Sequence, residues 1–343
     1  MQTRTTTAGW AVALAIASMV FVSGAAMADQ VGAGRGTTPR TPWGDPDLQG
    51  LWEYWTFTPL QRPESLADKE VLTDEEAAAV AQQGVEAARA RDEGPSQGDP
   101  GTYGQDVWTE RTRAIALNQP SLIVEPRDGR IPAVTAAERQ RAAAHRAGGG
   151  RPVRLRAGGI GADGPEDRGL SERCIVGFPT GPPLLPSGYN NNVQVFQAPG
   201  YVVLLVEMIH DVRVVPIDGR PHLPNQVRQW LGDSRGHWDG ETLVIETTNF
   251  TDKVGSFSTT GATWGTGEQA RLIERFTRVD EDTVEYEFIV EAPTVFTQPF
   301  TARYPMSRSE LPLFEYACHE GNYGMTNTLR GARAEDQAAE EGK

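Results

Sequence analysis

The residues best suited to chemistry lie between positions 207 and 222. They read Glu207-Met208-Ile209-His210-Asp211-Val212-Arg213, then Asp218-Gly219-Arg220-Pro221-His222. Histidine changes charge near neutral pH, and a neighbouring carboxylate fixes which ring nitrogen holds the proton. Such a pair transfers a proton once a substrate reaches it. His210 is therefore a candidate acid or base, oriented by Glu207 or Asp211, with Arg213 or Arg235 stabilising a developing oxyanion. Glu207 ends the apolar run Tyr201–Val206, which predicts a place at a barrel mouth or burial against a cation. A Glu207–Arg213 ion pair that merely holds a hairpin reads equally well. As a further alternative, His210, His222 and Glu207 supply the two imidazoles and one carboxylate of a facial metal triad.

A second constellation closes the chain's β-rich part: Tyr316-Ala317-Cys318-His319-Glu320-Gly321-Asn322-Tyr323. His319 and Glu320 form another acid–base pair, with Asn322 and Tyr323 as ligand contacts. A plain turn at Glu320-Gly321 with a solvated His319 is the simpler reading. The amides of Asn190, Asn191 and Asn192 suit a hydroxylated or carbonyl ligand, although turn-forming asparagine explains at least one of them. Asp233, Ser234 and Arg235 read as a polar loop over a cavity mouth, or as a turn held by Asp233. His222, Trp52, Trp238 and Tyr316 complete the expected ligand contacts. Ser234 lacks a G-x-S-x-G elbow, so serine-hydrolase chemistry is not indicated.

Positioning these residues requires a sheet. Short β-rich runs alternate with turn signals from Ser171 onward: 193–198, 201–207, 213–217, 241–247, 270–277, 283–291, 301–305 and 313–318. In the run 283–291, Val284, Tyr286, Phe288 and Val290 share one face, and Glu285, Glu287 and Glu291 the other. That period of two marks a strand half-buried in an antiparallel sheet. The run 201–206 is apolar on both faces and predicts a central strand. Upstream, Thr73-Asp74-Glu75-Glu76 and Thr135-Ala136-Ala137-Glu138 are capping boxes that open helices to about Arg91 and Arg146. The expected fold is mainly β: an antiparallel calycin-like barrel with N-terminal helical embellishments, enclosing a pocket for one small ligand. The expected boundaries are a signal peptide at 1–28, an extended arm at 29–46, strands and helices packed on the barrel at 47–170, the barrel core at 171–331 and a frayed polar tail at 332–343.

Arg4, the apolar stretch from Ala8 to Val22 and the Ala26-Met27-Ala28 site read as a cleaved secretory signal. The two cysteines, Cys174 and Cys318, are then expected to form a disulfide in an oxidising compartment, periplasmic or extracellular. Across 343 residues, 46 acidic against 32 basic side chains argue against nucleic-acid binding. No membrane contact is expected once the signal is removed, no cofactor motif is evident, and the oligomeric state is left open.

Several segments together resemble an abundant family of exported bacterial hypothetical proteins. They are Pro46-Asp47-Leu48-Gln49-Gly50-Leu51-Trp52, Glu207-Met208-Ile209-His210-Asp211, Asp218-Gly219-Arg220-Pro221-His222, Gly232-Asp233-Ser234-Arg235-Gly236, Thr248-Asn249-Phe250-Thr251-Asp252-Lys253 and Tyr316-Ala317-Cys318-His319-Glu320-Gly321-Asn322-Tyr323. The resemblance implies export and no particular chemistry. Gly50-Leu51-Trp52 also resembles, loosely, the G-x-W strand of lipocalins. The leading functional expectation is a metal-independent lyase, isomerase or hydrolase acting on a small, partly apolar molecule. Its rivals are a non-catalytic binding protein for a small apolar or aromatic ligand, and a metal-dependent enzyme.

Overall fold

The structure, a computed structural model, describes residues 39–93, 116–147, 161–177, 180–187, 189–251 and 269–342. The chain forms two compact units, Met1–Gly36 and Thr37–Lys343. The first, with the expected signal peptide, lies outside the described residues, and the second holds every described element.

Among the described residues, ten strands form one sheet: β1 Gly50–Glu53, β2 Ile123–Glu125, β3 Asn192–Ala198, β4 Tyr201–Val206, β5 Val212–Pro216, β6 Asp233–Asp239, β7 Thr242–Thr248, β8 Arg271–Arg278, β9 Thr283–Glu291 and β10 Phe300–Arg308. Nine of them run in the order β5-β4-β3-β1-β10-β9-β8-β7-β6, and β2 adds to β10 from the side. The result is a nearly closed, calycin-like antiparallel barrel. Every neighbouring pair on the path is antiparallel. With an odd number of strands, β5 and β6 must then point the same way, so residues 217–232 carry the chain back along the barrel. The two end strands pack without a ladder between them. A Cβ at Gly236 of β6 would stand 2.8 Å from Ile217 Cγ2 and 3.1 Å from Val215 Cγ1, so only glycine lets the gap close.

Alternation sets the two faces of the barrel wall. Val284, Tyr286, Phe288 and Val290 of β9 are buried, as are Phe300, Ala302, Tyr304 and Met306 of β10. Glu285, Glu287 and Glu291 stay on the outer face. The inner face carries large buried side chains, Trp52, Tyr286, Phe288 and Tyr304 among them. Leu184, fully buried, reaches in from the segment 180–187, where its N–H donates to Tyr286 Oη (3.1 Å) and its carbonyl accepts from Tyr304 Oη (2.6 Å). Small eight-stranded barrels are often filled by their own side chains in this way.

The α-helices among the described residues are α1 Asp74–Glu93, α2 Ala136–Ala147 and α3 Tyr323–Glu341. The first capping box forms as read: Thr73 Oγ1 accepts from the Glu76 N–H, and Glu76 Oε2 accepts from the Thr73 N–H. Thr135 Oγ1 likewise accepts from the Glu138 N–H. Two expectations change. Residues 313–318 form no strand but an irregular extended segment after β10. The expected frayed tail is the second half of α3, a helix of strong helix formers with polar residues all round, capped by Asn322, whose side chain accepts from the Met325 N–H.

Candidate functional site

Where β4 ends, the chain turns sharply through Glu207-Met208-Ile209-His210 before entering β5. Ile209 and His210 both take left-handed backbone conformations, with φ of 60° and 48°. A β-branched residue there is a true outlier. Such residues cost about 1–3 kcal/mol each and concentrate at functional sites. The irregular segment after β10 lies across this turn. Between them is a groove of about 490 Å³ lined by Leu205, Val206, Glu207, His210, Leu313, Phe314, Glu315, Tyr316 and Glu320.

Four bonds hold the groove's shape. The disulfide Cys174–Cys318, expected from sequence, pins the crossing segment to the turn at 171–174. Nδ1 of His210 lies 3.1 Å from the Tyr316 carbonyl oxygen. A carbonyl can only accept, so Nδ1 carries the hydrogen and Nε2 remains an acceptor in the neutral ring. Glu207, only 2 % exposed, accepts from Asn192 Nδ2 at 2.7 Å and from the Phe314 N–H at 3.3 Å. Beside it, burial raises the Asp211 carboxyl to about 6, against the opposing effects of His210 and a Thr180 hydrogen bond. Asp211 Oδ2 is buried with no hydrogen-bond partner among the described residues. Burial, aided by Tyr189, raises the Tyr316 phenol above its usual value.

The structure thus brings together Glu207, His210, Tyr316 and Glu320, with Asn192 behind Glu207 and Asp211 next in chain to His210. The remaining candidates stand elsewhere. His319 is exposed, and the groove lining includes its neighbour Glu320 but not His319 itself. Asn322 caps α3 and donates to the Glu172 carbonyl, while Tyr323 opens that helix in solvent. Asn190 takes a left-handed turn conformation, and Asn191, fully buried, bonds both backbone polar groups of Ser187. Trp52 is a core residue whose Nε1 donates to the Leu48 carbonyl under the guanidinium of Arg308. Trp238 packs against the same core.

Arg213 does not meet Glu207. It points into the barrel and grips Glu274 of β8 with two bonds, 2.6 and 3.0 Å, while Tyr286 Oη donates to the same carboxylate at 2.7 Å. Arg235, the other expected oxyanion donor, bonds Asp233 Oδ1 at 2.7 Å on the outer face. His222 is held there too, with Nδ1 2.8 Å from Asp233 Oδ2 and Nε2 3.4 Å from Glu246 Oε1. Asp233 and Arg235 belong to β6 rather than to a loop. Glu246 is matched by Arg271, whose hydrogen bond, ahead of smaller effects that include His222, keeps its carboxyl below the usual range. This cluster clasps the return segment to β6 and β7. The facial-triad alternative is corrected accordingly: His222 is engaged apart from His210 and Glu207, and among the described residues no set of three or more potential ligands is arranged to hold a metal ion.

Several residues escaped the sequence reading. Leu205 lines the groove from the end of β4, and Leu313, Phe314 and Glu315 line it through a segment whose alternation imitates a strand. Glu274 carried a usable signal: in Leu272-Ile273-Glu274-Arg275-Phe276 it occupies an inward position between two apolar residues, where a carboxylate requires a buried partner. Among the described residues no helix is long and apolar enough to cross a membrane. No family model, no curated protein and no solved structure matches the chain.

Proposed function

We propose that the chain is an exported enzyme that moves protons on a small, partly apolar molecule bound in the groove at the end of β4. His210 acts as the acid–base group. The supporting observation is the His210 Nδ1–H···O=C bond to Tyr316, which orients the ring and leaves Nε2 as the neutral acceptor beside a groove rich in carboxylates. The strained backbone at Ile209 and His210 supports the same reading. Glu207 and Glu320 are the second partners for the proton. With Arg213 and Arg235 held by Glu274 and Asp233, a guanidinium-stabilised oxyanion loses its support. The reading favours an isomerase or lyase step at an acidic C–H bond over acyl hydrolysis. The Cys174–Cys318 bridge fits an oxidising compartment. With the N-terminal signal pattern, it supports a periplasmic or secreted location and the resemblance to the exported family.

The test is solvent exchange. Protein incubated in deuterated water with a panel of small carbonyl and aromatic compounds should wash deuterium into one class of them, as read by mass spectrometry. His210→Gln should slow that exchange by about 10²–10⁴-fold while leaving the fold intact. Exchange that is equal in both proteins overturns the role of His210. Ligand binding without exchange in either would establish the second reading, a non-catalytic binder, which the exposure of Phe314 at the groove favours.

A further inference from the structure

If the groove is the ligand site, the charges that line it say what kind of ligand it takes. Four acidic side chains are buried among the described residues: Glu138, Glu207, Asp233 and Glu274. Three of them have a guanidinium in contact, Glu138 with Arg141, Asp233 with Arg235 and Glu274 with Arg213. Glu207 differs. Its two oxygens accept only from the Asn192 amide and the Phe314 N–H, both neutral donors, and no cationic side chain among the described residues pairs with it. Removing a carboxylate from water without a counter-charge is costly. Unlike the other three, Glu207 lines a cavity, so a ligand can supply what the protein does not. The rest of the lining agrees. Glu315 and Glu320 add two exposed carboxylates, His210 adds an imidazole, and no lysine or arginine is among the lining residues.

The apolar part of the lining indicates what carries that charge. Leu205, Leu313 and Phe314 flank Glu207, and Phe314 is 61 % exposed, a ring face available to a cation. Leu205 also belongs to the outer face of β4, where it pairs with Val212, while Val203 pairs with Phe196 on one side and Val214 on the other. Phe196, Val212 and Val214 are exposed. An apolar strip therefore leaves the groove at Leu205 and continues across β3, β4 and β5.

We infer that the groove takes a protonated amine on an aryl or alkyl body, the ammonium beside Glu207 and the body along Leu205, Leu313 and Phe314. Titration calorimetry at neutral pH with phenylbutylamine, neutral phenylbutanol and anionic phenylbutanoate tests this. The amine should bind about tenfold or more tighter than the alcohol, and the carboxylate should bind weakest. Glu207→Gln should abolish the preference for the amine over the alcohol. Should that variant fail to fold, the double variant Glu315→Gln/Glu320→Gln changes only exposed positions and should weaken the amine by about two- to fivefold, most strongly at low salt. Equal affinity for amine and alcohol, both weakened by Phe314→Ala, would overturn the charge assignment while leaving the groove as the site. Failure of all three probes to bind, or binding indifferent to both Phe314→Ala and Glu207→Gln, would overturn the inference together with the site on which it rests.

Discussion

Burial lifts the Asp211 carboxyl from an ordinary 3.8 to about 6, and this has a measurable sign. The groups facing it, His210 and Thr180, oppose the rise. Between the two values the folded chain holds a proton that the unfolded chain has released. This group's contribution to stability is therefore greatest below pH 3.8, falls as pH rises through that window, and is flat above about 6. Two units correspond to ~3 kcal/mol, which solvent screening of a partly exposed group reduces to ~1–2 kcal/mol. Urea denaturation of the wild type and Asp211→Asn across this pH range should give stability curves that diverge by that amount, the variant gaining relative stability as pH rises. Parallel curves would place the titration elsewhere. At this scale the sequence was partly legible. The carboxylate–histidine cluster was visible, and so were the residue types of the groove at Glu207, His210, Tyr316 and Glu320. The left-handed turn was not, because isoleucine is among the residues least suited to positive φ and gives no glycine or asparagine signal.

The element that makes the groove is the irregular segment after β10, and it has few holds. The Phe314 N–H donates to Glu207, the Tyr316 carbonyl accepts from His210, and Cys318 is bridged to Cys174 across 144 positions. Closing so long a loop contributes ~5 kcal/mol in the chain-entropy picture, and removing a native bridge commonly costs ~2–5 kcal/mol. Cys174→Ser/Cys318→Ser should lower the thermal midpoint and weaken groove binding even where the barrel stays folded. A reductant should do the same to the wild type and nothing further to the variant. Unchanged binding in a folded, reduced protein would show that the segment holds its place without the bridge. The bridge was legible from cysteine parity and an export signal, but the segment itself was not. Its Phe314, Tyr316 and Cys318 mimic strand alternation, and only the finished sheet shows that this run joins no ladder. Strand β6 was missed for the opposite reason. Its inward positions are Ser234, Gly236 and Trp238, of which the first bonds Thr247 and the second must be small for β5 to approach. The hydrophobic alternation that reveals β9 is therefore absent from a strand equally well built into the barrel.

For the molecule as a whole, the barrel class was legible and the polar network inside it was not. A chain of polar contacts crosses the core: Arg213 to Glu274, Tyr286 to Glu274, the Leu184 N–H to Tyr286, and Tyr304 to the Leu184 carbonyl. Burial first, and then the Glu274 carboxylate, push the Tyr286 phenol well above its ordinary value, so it remains a donor. Only tertiary packing unites these residues, which come from β5, β8, β9, β10 and the segment 180–187, so no local pattern announces the network, although Glu274 by itself stands out as a carboxylate at an inward position. Their buried, mutually bonded arrangement assigns them to stability. Removing one member of a buried ion pair strands the other, at a cost of about 3–5 kcal/mol, whereas replacing both by apolar residues is often close to neutral. Arg213→Met and Glu274→Leu should each destabilise by that amount in urea titrations. The double variant should recover most of the loss, giving a strong favourable coupling in the cycle. Because the groove draws on Glu207, His210 and the segment after β10 rather than on this pair, the folded double variant should bind phenylbutylamine with affinity within about twofold of the wild type, a difference under ~0.5 kcal/mol. A double variant that folds and has lost that binding would move the ligand into the barrel.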